Sequence, residues 1–319
     1  MGETRTIYLA GGCFWGIEAL MRGMPGVTDT CAGYANGTGE ADAIYETVCS
    51  GQTGFRETVR VRFDAAQTSV DALVFALVAV IDPAAHDRQG NDVGTQYQAG
   101  VFWEPGDAAT QADVERVLAL VARRTPGFAM EQGPLANFFP AEDYHQDYLE
   151  KNPRGYCHVS PALMRALASG RIDPGRYQRP ADEELAERLT PEQLAVTQRA
   201  STEPPFSNAY WDADAPGIYV DVVTGEPLFS SADKYASSCG WPAFAAPIEA
   251  GVVATRRDRS HGMVREEVLG RTSGSHLGHV FDHDPESPTG VRYCMNSAAL
   301  RFVPRDRMEA EGYGYLLRE

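Results

Sequence analysis

The chain has 319 residues, 43% hydrophobic and 23% charged, with a formal net charge of −16 at pH 7. That length allows two ordinary domains, and the acidic balance argues against DNA, RNA or an anionic membrane surface as partner. The sequence shows neither an N-terminal apolar segment nor a run of membrane-spanning length. A cytoplasmic protein is therefore expected, and its six cysteines read as catalytic, metal-binding or inert thiols rather than a disulfide scaffold.

In chain order, Thr6–Ala10 is apolar and β-prone, and Gly11-Gly12 permits a sharp turn after it. Ile17, Leu20, Met21 and Met24 then recur at helical spacing until Pro25-Gly26. Cys13 thus falls in the first turn of a helix, where the N-terminal dipole lowers its thiol pKa by about one unit. Val59, Val61 and Phe63 alternate with Arg60 and Arg62 as in a half-exposed strand. Val70 to Ile81 reads as a buried helix, with Thr68 and Asp71 forming a capping signature. Val114, Val117, Leu118 and Val121 mark an amphipathic helix that ends before Pro126-Gly127.

Gly170, Pro174, Gly175 and Pro180 break the next stretch, so residues 159–187 read as a linker carrying a charged helical stub from Ala181. Thr190-Pro191-Glu192-Gln193 opens a new helix with Thr as N-cap, Pro at N1 and Gln at N3. Beyond residue 205, Ile218–Val223, Glu266–Leu269 and Arg292–Val303 resemble strands, with Thr224–Pro227 as a turn. The pattern predicts an α+β domain over 1–158 and a mainly β domain over 188–319.

Several residues in the first half can serve a thiol that attacks a polar, oxygen-bearing substrate. Glu57 follows the turn Gly51–Gly54, Tyr45 lies just ahead, and the loop Asn91–Tyr97 offers Asp92 and Tyr97. Gly12-Cys13-Phe14-Trp15-Gly16, Thr53–Glu57, Gln89–Tyr97 and Ala141–Tyr148 together resemble methionine sulfoxide reductase A over roughly residues 5–157. The resemblance implies a mixed sheet with flanking helices, and Cys13 as the nucleophile that attacks the sulfoxide sulfur. It assigns Phe14 and Trp15 to the wall that receives the methyl group and Glu57 to the proton donor. Tyr45 and Tyr97 assist, and Asp92 supports the site. Physical chemistry agrees, because a carboxyl group walled by aromatics is desolvated and keeps its proton near pH 7. Attack yields methionine and a sulfenic acid, which a second thiol must resolve. Cys157 matches the family's recycling cysteine, so a Cys13–Cys157 disulfide reduced by thioredoxin or, in vitro, dithiothreitol is implied. Cys31 and Cys49 read as buried, inert thiols.

The second half carries an independent set. Phe206–Trp211, Ser238–Phe244, Ser275–Phe281 and Arg292–Ser297 resemble methionine sulfoxide reductase B over roughly residues 188–317. In a strand, Arg292, Cys294 and Asn296 share one face, and a guanidinium beside a thiol favours the thiolate. The resemblance implies two small antiparallel sheets in a barrel-like arrangement. It makes Cys294 the nucleophile, Cys239 the resolving thiol and His279 the acid, with His276, Arg292 and Asn296 around them and Trp241 receiving the methyl group. Many relatives hold zinc with two Cys-x-x-Cys pairs. Here Asp221–Thr224 takes the place of one pair and no second exists, so a cofactor-free, metal-free form is expected. Where the family commonly has Asp-Gly-Pro, this chain has His283-Asp284-Pro285. An Asp that orients the imidazole is then missing, or displaced to Asp282 or Asp284.

The expected whole is a bifunctional reductase of free or protein-bound methionine sulfoxide, taking the S epimer in the first domain and the R epimer in the second. Two rivals predict other chemistry. One is a thiol hydrolase or acyltransferase, with Cys13 attacking a carbonyl. The other is a metal-binding or redox-sensing module built on His276, His279, His283 and Cys294.

Overall fold

The computed structural model describes residues 2–317. It divides into two compact units, Met1–Gly175 and Arg176–Glu319.

In the first unit the elements are β1 (Thr4–Ala10), α1 (Phe14–Gly23), β2 (Val27–Ala35), α2 (Tyr45–Val48), β3 (Arg56–Asp64) and α3 (Val70–Val78). They continue as β4 (Arg88–Gln89), β5 (Asp92–Val93), β6 (Gly100–Trp103), α4 (Ala108–Arg124), β7 (Glu131–Pro134), β8 (Phe138–Pro140), α5 (Tyr148–Lys151) and α6 (Pro161–Ala168). Six strands form one mixed sheet in the order β7-β6-β1-β3-β2-β8, antiparallel except between β6 and β7. Ile7, Leu9, Val59, Val61 and Phe63 are fully buried in it, as are Ile17 and Met21 of α1 and Leu73, Val74 and Leu77 of α3. This agrees with the mixed sheet and flanking helices expected from sequence. Gly12, at φ 87°, makes the left-handed turn that carries β1 into α1.

Two local expectations change. The cap of α3 is Ser69 rather than Thr68: its hydroxyl accepts from the Ala72 N–H at 3.1 Å. Asp71 is instead a buried partner of Arg116, whose guanidinium grips both carboxylate oxygens at 2.7 and 2.8 Å and ties α3 to α4. The stretch read as a linker is largely folded. Its helix α6 packs against α1, Leu167 and Ile172 are buried, and Asp173 accepts from the Ser69 hydroxyl at 2.5 Å. Gly170 lies just past α6 and Pro174 opens a short turn, and the apolar side chains between them still find partners.

The second unit holds α7 (Asp182–Arg188), α8 (Pro191–Arg199), β9 (Gly217–Asp221), β10 (Pro227–Ser230), β11 (Lys234–Tyr235) and β12 (Ala243–Phe244). There follow β13 (Val253–Asp258), β14 (Arg265–Gly270), β15 (His276–Asp282), β16 (Val291–Met295) and β17 (Leu300–Pro304). Leu185 and Leu189 cluster with Val223. The capping box of α8 forms as read, Thr190 accepting from the Gln193 N–H and Gln193 accepting from the Thr190 N–H. Two sheets result, β10-β9-β17 and β11-β12-β16-β15-β14-β13, with antiparallel pairing throughout. Among the described residues the larger sheet has two ends, β11 and β13, so its pairing does not close a barrel. The expected strand Arg292–Val303 is split by a turn of 3-10 helix at Ser297–Ala299, which sends β16 and β17 to different sheets. No helix among the described residues is long and apolar enough to cross a membrane.

Candidate active sites

In the first unit Cys13 is the N-cap of α1 and only 7% exposed. The helix dipole does not win here. Burial, and then the nearby Glu57 carboxylate, push the thiol up, while the Trp15 backbone amide opposes them. The sequence expectation of a lowered pKa counted the dipole and omitted desolvation.

Glu57 comes from β3, where it lies opposite Tyr34 of β2. Its carboxylate accepts from the Phe14 N–H at 3.1 Å. Burial raises its pKa to about 8, Phe14 opposing and Asp92 adding to the rise. Glu57 is therefore largely protonated at pH 7, and a neutral Glu57 also removes the largest of the charges that, with burial, hold the Cys13 thiolate back. Tyr45, at the start of α2, and Tyr97 are both raised, first by burial, and so remain proton donors. The charges of Glu57, Cys49, Cys13 and Asp92 raise Tyr97 further.

Phe14 is 1% exposed, with its ring 5.0 Å from that of His145. Trp15 is half-buried; it stacks on Tyr148 at 3.6 Å and donates from Nε1 to His145 Nδ1 at 3.0 Å. The recycling candidate Cys157 approaches the first turn of α1 closely. A Cβ on Gly16 would stand 3.0 Å from its sulfur, tighter than ordinary contact. Cys31 is half-buried and Cys49 is exposed, not buried as read. The Cys49 thiol meets the Tyr45 hydroxyl.

Sequence reasoning gave no role to Glu142 or His145, although both lie in a stretch quoted for the resemblance. Glu142 accepts from the Tyr34 hydroxyl at 2.8 Å and from the Tyr45 N–H at 2.9 Å, so it fixes the start of α2. His145 is buried among Phe14, Trp15, Tyr45 and Tyr144. The signal available was the density of aromatic and charged residues in Ala141–Tyr148.

In the second unit, His279 of β15 stands directly opposite Cys294 of β16. The sulfurs of Cys294 and Cys239 are 3.6 Å apart. Their hydrogen bond couples the two thiols: it lowers Cys239 and raises Cys294, and Arg292 favours an anion on either. Arg292 is held by Asp284 at 3.0 Å and lies 5.0 Å from the centre of the Phe281 ring.

The carboxylates that orient the imidazoles come from neither Asp282 nor Asp284. Asp258 of β13 meets His279 Nε2 at 2.9 Å, and Glu267 of β14 meets His276 Nδ1 at 2.7 Å. Asp284 serves Arg292 and the Tyr235 hydroxyl instead. The strand pairing β13-β14-β15 delivers these acids, which no local motif announced. Burial lowers the His279 pKa, and Asp258 opposes that shift. The Nε2 of His276 is buried without a hydrogen-bond partner among the described residues, leaving it available to a ligand.

Asn296 lies just past β16 and is occupied by backbone. It accepts from the Glu203 N–H at 3.2 Å and donates to the Leu277 carbonyl at 3.1 Å. Trp241 donates from Nε1 to the Glu203 carbonyl at 3.0 Å. Glu203, unnoticed in the sequence, thus orders two expected site residues.

The stretch Asp221–Thr224, expected from the resemblance to stand in place of a zinc-binding cysteine pair, does not fit that metal. Asp221 accepts from the Ser273 hydroxyl at 2.5 Å and the Val223 N–H at 2.8 Å, while Thr224 meets Thr272 at 3.1 Å. Glu226 binds Arg271 and Thr272. The donors are oxygens, and protein hydrogens already occupy them. Nor do three or more His, Cys, Asp or Glu side chains converge on a metal position elsewhere among the described residues.

Residues 5–172 match the family model described as peptide methionine sulfoxide reductase, and residues 189–304 match that of the SelR domain. Among solved structures, reduced Mxr1 from Saccharomyces cerevisiae is 33% identical, covering 50% of this chain and 92% of its own, with a TM-score of 0.45. Methionine sulfoxide reductase A of Corynebacterium diphtheriae is 38% identical over 48% of this chain and 77% of its own, with a TM-score of 0.44.

Proposed function

The chain belongs to the peptide methionine sulfoxide reductase family and carries a SelR domain behind that reductase, and on that premise we propose that its two sites divide the two epimers of methionine sulfoxide between them. The first takes the S epimer and the second the R epimer. A chiral sulfoxide requires this division, since one pocket cannot set both epimers with oxygen on the acid and methyl on the aromatic wall.

At the first site the methyl group rests against Phe14 and Trp15, and Glu57, helped by Tyr45 and Tyr97, protonates the sulfoxide oxygen. The Cys13 thiolate attacks sulfur, methionine leaves, and the oxygen stays on Cys13 as sulfenic acid. Cys157 displaces that hydroxyl as water and forms a disulfide. At the second site Cys294, His279 and Cys239 take the same three parts, with Arg292 favouring the thiolate and Trp241 receiving the methyl group. His276 offers a second hydrogen bond, and Asn296 positions the strand end. Thioredoxin, a dithiol of low potential (roughly −270 mV), returns each disulfide to thiols. The second domain works without zinc, and a reducing cytoplasm suits both cycles.

What supports this reading is that each unit brings together the same kinds of group: Cys13 with Glu57 and Cys157 beside the first turn of α1, and Cys294 with His279 opposite it and Cys239 at 3.6 Å. The test is to supply each epimer separately with thioredoxin and with dithiothreitol. Two thiols oxidised per sulfoxide, with turnover of both epimers by thioredoxin, is expected. Turnover with dithiothreitol alone would show that Cys157 and Cys239 are misassigned or out of thioredoxin's reach. Turnover without any reductant would return the thiol hydrolase to contention.

A further inference from the structure

His158 follows the recycling cysteine directly, and its side chain is 7% exposed. Neither ring nitrogen meets a side-chain hydrogen-bond partner among the described residues, and the backbone group that favours its charged form is that of Gly11. A buried polar group left so is costly and asks for a function. The ring lies over the turn that holds Cys13. The Cβ position above Gly16 is 3.6 Å from His158 Cε1 and 3.0 Å from the Cys157 sulfur, and that above Gly12 is 3.5 Å from the same carbon. Nδ1 stands 3.8 Å from the Asp92 carboxylate, whose oxygen there is equally unpartnered.

We propose that His158 carries the proton of the first site's recycling step, from the Cys157 thiol to the hydroxyl leaving Cys13, with Asp92 holding the imidazolium between the two transfers. This rests on the reading of Cys157 as the resolving thiol. In the step, the Cys157 S–H gives its proton to the imidazole and the thiolate attacks the Cys13 sulfur. The S–O bond breaks, and the departing hydroxide takes the proton back as water. Thiol and sulfenic acid become disulfide and water, so no other reactant is needed.

The surroundings suit a base. Burial lowers the His158 pKa and keeps the ring neutral and able to accept, while Asp92 opposes that shift. The groups that act on it are the Asp92 carboxylate, which Tyr156 also binds, and the Gly11 backbone, while the Cys157 sulfur and the ring both border the Gly16 position. Burial raises Cys157 as well, and its thiol donates to the Val159 carbonyl at 3.2 Å, so it has little thiolate of its own and must turn from that oxygen to give its proton to the imidazole.

Single-turnover experiments on the full chain, with the S epimer and no reductant, separate the two steps. Methionine release reports sulfenic acid formation, and loss of dimedone-reactive sulfenic acid reports the disulfide step. The ratio of the second rate to the first is expected to fall at least tenfold in His158→Gln and in His158→Ala. The disulfide rate should also lose its rise with pH in both. An unchanged ratio in either variant would overturn the proposal, as would an unchanged pH profile. Cys157→Ser distinguishes the two readings. A persistent sulfenic acid there supports Cys157 whatever His158 does, and one that decays at the wild-type rate removes Cys157 and this inference together.

Discussion

The two proposed sites rely on proton donors of opposite charge type, and burial acts on them in opposite directions. Glu57 is acidic, so desolvation raises it to about 8 and makes it a neutral donor at pH 7. His279 is basic, so desolvation lowers it, and a carboxylate partner is needed to limit the fall. A carboxyl group becomes a proton donor by isolation, whereas an imidazole stays one by company. The first site accordingly buries Glu57 strongly enough to outweigh the Phe14 amide that favours its charged form, and the second places Asp258 against His279.

The largest effect that separates the sites comes from their nucleophiles. Cys13→Ser should abolish S-epimer turnover and Cys294→Ser R-epimer turnover, by more than about 10³-fold each, as read by chromatographic assay of the separated epimers. Loss of both activities from either change would dissolve the comparison. Next is Glu57→Gln, expected to lower methionine formation from the S epimer about 10²-fold and to remove the decline of the wild-type rate above pH 8. The same variant should be more stable than wild type at pH 7. Because the folded-state pKa of Glu57 is raised above its ordinary 4.5, its contribution is present at low pH and is lost as pH rises toward about 8. Thermal melts of the two proteins across that range would check the sign.

A smaller difference lies in how the epimer ratio varies with pH. The second site's donor is lowered and the first site's is raised to about 8, so S-epimer over R-epimer rate should increase between pH 6 and 8. A constant ratio would mean that the histidine is not the acid. Asp258→Asn sharpens this. Removing the carboxylate lowers His279 further, so the R-epimer profile should move to more acidic pH and lose roughly tenfold at pH 7, less than the 10²–10⁴-fold that general acid catalysis supplies. The smallest effect is structural. Thr190→Ala removes the capping box of α8 and should cost about 1 kcal/mol in the melt, leaving the S-epimer rate as it was.

Much of this was legible in the sequence wherever chemistry and local spacing coincide. Cys13 at a strand–helix turn, the cap at Thr190 and the amphipathic helix through Val121 all depend on neighbours within a few residues. What escaped depends on register. Asp258 and Glu267 reach the histidines only because β13, β14 and β15 pair as they do, and Arg292–Val303 divides because its two halves answer to different sheets. The Cys13 pKa went wrong for a related reason: a dipole can be read from a helix start, whereas desolvation needs the whole surroundings. His158 was hidden by its ordinariness, a histidine beside a cysteine whose importance had already been assigned.

The 3.6 Å between the sulfurs of Cys239 and Cys294 has a bearing on survival as well as on turnover. A reductase of oxidised methionine works where peroxide is present, and a sulfenic acid that meets another oxidant goes on to the sulfinic acid, a state ordinary thiols do not reverse. A thiol held in near-contact competes with effective molarities on the order of 10⁵ M or more, far above any cellular oxidant. The second site therefore carries its own insurance against the damage it repairs, and its inactivation by hydrogen peroxide during turnover should become visible only when Cys239 is removed.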